Sequence, residues 1–331
     1  MQGISVKAVI ILIICLVVSL TGGCELLSGR PGETEGAVGK RPVEAGEPSK
    51  DYGPPAHLAD LEEKAVDESS GVVASRRNPG LFWTHNDSGD GPLLYSFDRR
   101  GRRRGVWRVA GAKAYDWEDV AAGPGPMSGQ PYLYVGDIGD NGRERKEIVV
   151  YRVAEPAITA DTVVNNAVEP YETARAEALR LKYPDGRHDA EALAVHPVSG
   201  DLYVITKTGN PAVGAGVYKL AAPFNAAAVN TLEKIGEVRV PSLFPGMLTG
   251  ADISPDGRRV VFCDYFNAYE LVTAERAAGG FDEVWKQKPV VVKLGQRTQG
   301  EAVCYSLEGR SIIATTEGRP AAVVEAPRVK R

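Results

Sequence analysis

The sequence predicts an all-β fold: a single β-propeller of four-stranded blades, five preferred with six the alternative, closed by an N-terminal strand. Three observations predict it. From residue 65 onward, short Val/Ile/Leu/Tyr runs alternate with Gly, Pro, Asp and Asn turns, and helical periodicity is scarce. Five segments repeat one plan: a leading acid, a short strand, a turn, a strongly apolar strand and a polar end. The leading acids stand 50, 73, 61 and 49 residues apart, near the repeat of a four-stranded blade.

The chain starts outside that fold. Lys7 is followed by the apolar run "AVIILIICLVVSL" and then "TGGC", which ends at Cys24. This order makes residues 1–23 a secretory signal peptide, too short for a comfortable membrane span. The small-small-Cys ending resembles the lipobox of bacterial lipoproteins, which implies lipid on Cys24 and an exported chain anchored to a bacterial membrane. Thr21 stands where that pattern usually carries leucine. Residues 24–56 are rich in Gly, Pro and Glu and read as a flexible tether. Residues 57–331 are assigned to the propeller.

The first unit runs from Glu68 to Asp87, and the second from Asp116 to Asn141. The third, Asp189 to Thr208, follows an insertion that begins "EPAITAD" and is read as a surface excursion. The fourth is Thr249 to Tyr265 and the fifth Gln299 to Gly318. Their leading acids are Glu68, Glu118, Glu191, Asp252 and Glu301. Their polar ends are Asp87, Asp137, Lys207, Asp264 and Glu317. Outer strands such as "LLYSFD", "IVVYRV" and "GVYKLA" follow. The last unit lacks a fourth strand, and "HLADLEEKAVD", spare at the N-terminus, is expected to supply it. Full closure removes exposed sheet edges.

Composition narrows the function. A net charge of −4 over 331 residues gives no basic surface for nucleic acid. The cluster "DRRGRRRG" lies between strand-like runs and reads as a solvated turn. Zinc, Walker and nucleophile-elbow motifs are missing. "DIGDNG" and "NDSGDG" begin like EF-hand loops, but Ile148 and Phe97 stand where the loop needs glutamate. Cys263 and Cys304, in apolar strands, read as buried thiols, with pairing the alternative.

The acids carry the chemistry. Symmetry brings equivalent strand ends to one axis, and crowded carboxylates demand a cation or hydrogen bonds. Calcium takes six to eight such oxygens. The expected metal ligands are Glu118, Asp137, Asp189, Glu191, Asp252 and Glu301. Glu68, Asn86, Asp87, Asp116, Asp140, Asn141, Asp264 and Glu317 are further site candidates. Glu118, Glu191, His85 and Lys207 are the candidates for acid–base work or for stabilising negative charge. The competing reading makes the acids braces for the backbone of the next blade.

The motifs "WTHNDSGD", "DWEDVA", "LYVGDIGDN", "DAEAL", "LTGADISPDG" and "QGEAV" resemble those of uncharacterised bacterial propeller lipoproteins, grouped near esterase-like, phytase-type propellers. That resemblance implies calcium held by channel carboxylates, hydrolysis of phosphate esters, and a Lys/Arg cluster to hold the phosphates. Here the motif positions carry acids, with Lys207 the one clear cation. Two expectations follow. One is a monomeric, lipid-anchored, metal-dependent hydrolase of the cell envelope. The other is a non-catalytic module that binds a small molecule, sugar, peptide or protein at the channel mouth.

Overall fold

The structure is a computed structural model that describes residues 47–87, 89–242, 244–273, 280–297 and 299–329. The expected signal peptide, Cys24 and most of the expected tether lie outside the described residues. The fold is all-β, with five sheets of four or five strands.

Strand β1 (Ala56–Asp60) comes first. Blade one follows with β2 (Ser69–Ala74), β3 (Leu81–Asn86), β4 (Leu93–Asp98) and β5 (Arg103–Arg108). Blade two holds β6 (Trp117–Pro124), β7 (Pro131–Asp137) and β8 (Ile148–Ala154). Its chain then crosses back, because β9 (Tyr171–Glu172) pairs in parallel with β5 of blade one. Strand β10 (Glu177–Lys182) completes blade two. Blade three is β11 (Ala190–Val195), β12 (Leu202–Thr206), β13 (Ala215–Leu220) and β15 (Glu233–Val238). Between the last two, β14 (Asn230–Thr231) pairs with β10. Blade four is β16 (Gly250–Ile253), β17 (Arg259–Cys263), β18 (Asn267–Val272) and β19 (Val290–Lys293). Blade five is β20 (Gly300–Tyr305), β21 (Ser311–Thr316) and β22 (Ala322–Pro327), with β1 antiparallel on β22.

The innermost strands meet in the cycle β2, β6, β11, β16, β20 and back to β2. Both faces of each are covered, so they read as continuous apolar or small runs rather than alternating ones. Outer strand β10 alternates instead, with Leu179 and Leu181 buried. Five apolar clusters fill the five seams between blades. Trp83 and Trp117 fill the seam of blades one and two.

The insertion after β8 closes over blade one. Asn165 accepts from the Val106 amide at 2.7 Å and donates to the Val106 carbonyl at 3.0 Å. A side-chain amide thus imitates a strand and covers an edge. Order also begins before residue 56. Pro48 bridges to Val291 of β19, and Tyr52, buried, bridges to Arg328. The Tyr52 hydroxyl donates to Glu270 Oε1 at 2.6 Å. Residues 47–55, polar in composition, thus strap blades four and five before β1 enters the last sheet.

Candidate functional site

Four inner strands carry one extra residue near their starts. The register slips between Ser69 and Gly71, Trp117 and Asp119, Ala190 and Ala192, and Gly300 and Ala302. The extra residues are Ser70, Glu118, Glu191 and Glu301. A β-bulge breaks the alternation of the strand and re-aims one side chain. Small neighbours permit this where five backbones crowd the axis. A Cβ on Gly71 would lie 2.7 Å from the Val120 amide nitrogen, and one on Gly250 would lie 2.7 Å from the Glu301 carbonyl oxygen.

Glu118, Glu191 and Glu301 therefore occupy equivalent positions, and two of the expected equivalents do not. Blade four has no such slip; Gly250 and Ala251 pair in register with Cys263 and Phe262. Asp252 sits further along its strand and accepts from the Tyr305 amide at 2.9 Å and its neighbour Ile253 at 2.8 Å. It is a brace onto blade five, and burial pushes its pKa up to about 6. Glu68 lies exposed just outside β2, in a bridge with Glu317, and Ser70 holds the bulge.

At the mouth, one carboxylate oxygen each from Asp87, Asp116 and Glu118 lie within 4.8 Å of one another. So do oxygens from Asp87, Glu301 and Glu317. Asp87 joins the two groups. Gly139 lets the first group close: a Cβ there would lie 2.2 Å from Glu118 Oε1 and 2.4 Å from Asp116 Oδ2. Glu118 is 3% exposed, and among the described residues its carboxylate takes part in no hydrogen bond or ion pair. Burial, then Glu191, Asp87 and Asp116, hold its pKa well above the usual carboxylate range. Burial and the neighbouring Asp87 and Asp189 push Asp116 up to about 6.

Glu191 takes Lys207, whose side chain is largely covered, as its ion-pair partner. Burial pushes Glu191 up to about 8 against the pull of Lys207. Burial opposes the charge on Lys207, but Glu191, Tyr265 and Glu301 outweigh it and hold the ammonium well above its ordinary pKa. Lys207 stays charged, with its nitrogen 5.5 Å from the Tyr265 ring centre.

The other expected residues are braces. Asp137 pairs with Arg145 at 2.8 Å and accepts from the Tyr115 and Asp116 amides at 3.3 Å. Asp140 accepts from Glu144 and Arg145, both at 2.8 Å, and its amide donates to Asp189 at 2.9 Å. Asp264 accepts from the Phe266 and Asn267 amides at 2.8 Å and from the Tyr269 hydroxyl at 2.7 Å. Asn86 caps the Asp67 and Glu68 amides at 3.2 and 3.3 Å, and Asn141 is exposed. His85 is buried between blades one and two, edge-on to Trp117, with Nδ1 2.8 Å from the Asn86 carbonyl. Burial lowers its pKa and keeps it neutral.

One central acid escaped the sequence reading. Asp119 is fully buried, with Oδ2 accepting from the Leu193 and Ala251 amides at 2.9 and 3.1 Å. A single carboxylate thus ties blades two, three and four. In the sequence it stands directly behind Glu118. Cys263 and Cys304 are both free and buried.

The donor set fits a hard cation: among the described residues the two converging groups are made of carboxylates alone. No family model matches the chain, and no curated protein matches it. Among solved structures the chain is similar to the hydrazine synthase of Kuenenia stuttgartiensis, with 12% identity over 79% of this chain and 72% of that one, TM-score 0.41. It is also similar to the Pan2 WD40 domain of Neurospora crassa, with 10% identity over 86% of this chain and 98% of that one, TM-score 0.41. Likeness at this level carries no argument about activity.

Proposed function

We propose that this protein is an exported, lipid-anchored propeller that holds a divalent cation, calcium by its donor set, at one mouth of its channel and presents it to a ligand. One observation carries the reading. The Glu118 carboxylate, 3% exposed, faces Asp87 and Asp116, and among the described residues no donor reaches it. A buried carboxylate pressed by like charges is costly, and a cation removes that cost. Asp87, Asp116 and Glu118 are the proposed core ligands, with Glu301 and Glu317 on the far side of Asp87. A bound cation supplies Lewis acidity and orients an oxygen ligand. The chain's own bulges fix Glu118 and Glu301.

Ester or phosphoester hydrolysis is the second reading, favoured by Glu191. An acid pushed up to about 8 beside a charged Lys207 is suited to hold a proton near neutral pH and deliver it to a leaving group. Metal analysis of the purified chain, before and after chelation, tests the first reading. A hydrolysis screen on nitrophenyl esters and phosphates, with calcium and with chelator, tests the second. Metal content at background in both the wild type and Glu118→Gln would sink the cation reading. Turnover that survives Glu191→Gln unchanged would remove the second.

A further inference from the structure

Blade four carries a different feature on its surface. A cleft of about 830 Å³ opens beside the start of β18 and the end of β19. Its lining includes Arg297, Lys293, Asn267, Gln296, Phe266 and Pro55. Two cations and two amides face it, and no carboxylate lines it, in a chain whose net charge is negative. Among the described residues neither cation takes part in an ion pair. Lys293 reaches only the Asn267 side-chain oxygen, at 3.4 Å. Arg297 donates from Nη2 to the Asp264 carbonyl at 3.0 Å, while its Nε and Nη1 are buried without a hydrogen-bond partner. The Asp264 carboxylate is committed to two amides and a tyrosine. The nearby Cys263 thiol, which burial pushes up to about 12, offers no negative charge.

Asp264 acts on Arg297 only through space, its carboxylate being bonded elsewhere. A partly desolvated guanidinium without an ion-pair contact is unfavourable, and an anion supplies that contact. One wall of the cleft is apolar: Phe266 is 57% exposed, and Pro55 comes from the N-terminal strap. We propose that this cleft binds a small organic anion, its carboxylate or phosphate toward Arg297 and Lys293 and its apolar body against Phe266 and Pro55. The site is separate from the acidic mouth and does not rest on the cation reading. Arg297 packs beside Gly300, the neighbour of Glu301, but the cleft's own lining carries cations and no carboxylate, so it selects a ligand of the opposite sign to the mouth.

Calorimetric titration of the full chain tests this with phenyl phosphate, benzoate, inorganic phosphate and phenol, each in the presence of chelator. Phenyl phosphate or benzoate is expected to bind and phenol is not; the tighter of the two anions names the head group. Lys293→Gln, at an exposed position, and Arg297→Gln should each weaken binding at least about fivefold, as expected for charge-assisted contacts. Phe266→Ser should weaken the aromatic anions and leave inorganic phosphate unchanged. The proposal is overturned if neither anion binds, if phenol binds as well, or if both cation variants keep wild-type affinity. Loss of binding in chelator would also overturn it, by placing the anion at the acidic mouth.

Discussion

The indole nitrogen of Trp83 donates to Glu155 Oε1 at 2.8 Å, across the seam between the first two blades. Glu155 is fully buried and also accepts from the Ser75 hydroxyl and from the Arg76 and Arg77 amides at 3.2 and 3.1 Å. One carboxylate therefore collects the turn after β2, an indole of β3 and the end of β8. Glu155→Ala strands four donors inside the protein. It should cost on the order of 3 kcal/mol, read as a lower urea midpoint with an unchanged slope. A loss below about 0.5 kcal/mol would mean that water replaces the carboxylate.

Calcium should raise the melting temperature and chelator should lower it. At a hundred times Kd the gain is about 2.7 kcal/mol. Glu118→Gln together with Glu191→Gln should abolish the response without unfolding the chain. Identical melting curves in calcium, in chelator and in the double variant would make the acids backbone braces.

Gly139→Ala probes the same mouth without touching a carboxylate. Its Cβ would press on Glu118 Oε1 and Asp116 Oδ2 at 2.2 and 2.4 Å, so these two acids must move apart. The expected result is at least tenfold weaker calcium binding by calorimetry, with the far-ultraviolet circular dichroism spectrum preserved. Unchanged affinity would exclude the Asp87–Asp116–Glu118 group as the site.

The pH dependence follows from the raised acids. Asp116, Glu118 and Glu191 hold protons more tightly folded than unfolded. Their contribution is complete below the unfolded values of 3.8 and 4.5, and is lost as pH rises through about 6 for Asp116 and about 8 for Glu191. In chelator, the melting temperature should fall from about pH 5 to about pH 8. Saturating calcium should flatten that slope. A slope that is the same with and without calcium would separate the titration from cation binding.

The N-terminal segment should matter more than its polarity suggests. A chain beginning at residue 67 loses β1 and buried Tyr52, Leu61 and Val66. The loss should be on the order of 5 kcal/mol from apolar burial alone. Tyr52→Phe, which deletes only the bond to Glu270, should cost about 1 to 3 kcal/mol. Equal melting temperatures for chains starting at residues 47 and 67 would show that the last blade is stable with three strands.

For Cys24, the expectation is lipidation. Cys24→Ser should move the protein from the membrane fraction to the soluble one. A variant that stays with membranes would point to a retained apolar segment instead.

The blades were legible because each repeats apolar runs and turn residues at blade spacing. Glu118, Glu191 and Glu301 were legible because they recur in phase. Asp252 and Glu68 were misaligned because a bulge is a one-residue slip in pairing, and neither composition nor spacing records it. Asp119 was hidden behind Glu118, and Glu155 was hidden at the head of a segment read as surface excursion. Both are acids whose partners are backbone amides or distant side chains, which a linear reading cannot place. The strap at residues 47–55 was missed because its Gly, Pro and charged residues outweigh the single buried Tyr52.

The bulges carry a consequence of their own. A residue in a bulge has no cross-strand partner, so its side chain is not part of the pairing that sets the register. Ser70 fills the same socket on blade one that glutamate fills on three others. The mouth thus behaves like a set of interchangeable fittings on a fixed hub. An exchange of one fitting leaves the strand register as it is, so the chemistry of the mouth can change one blade at a time.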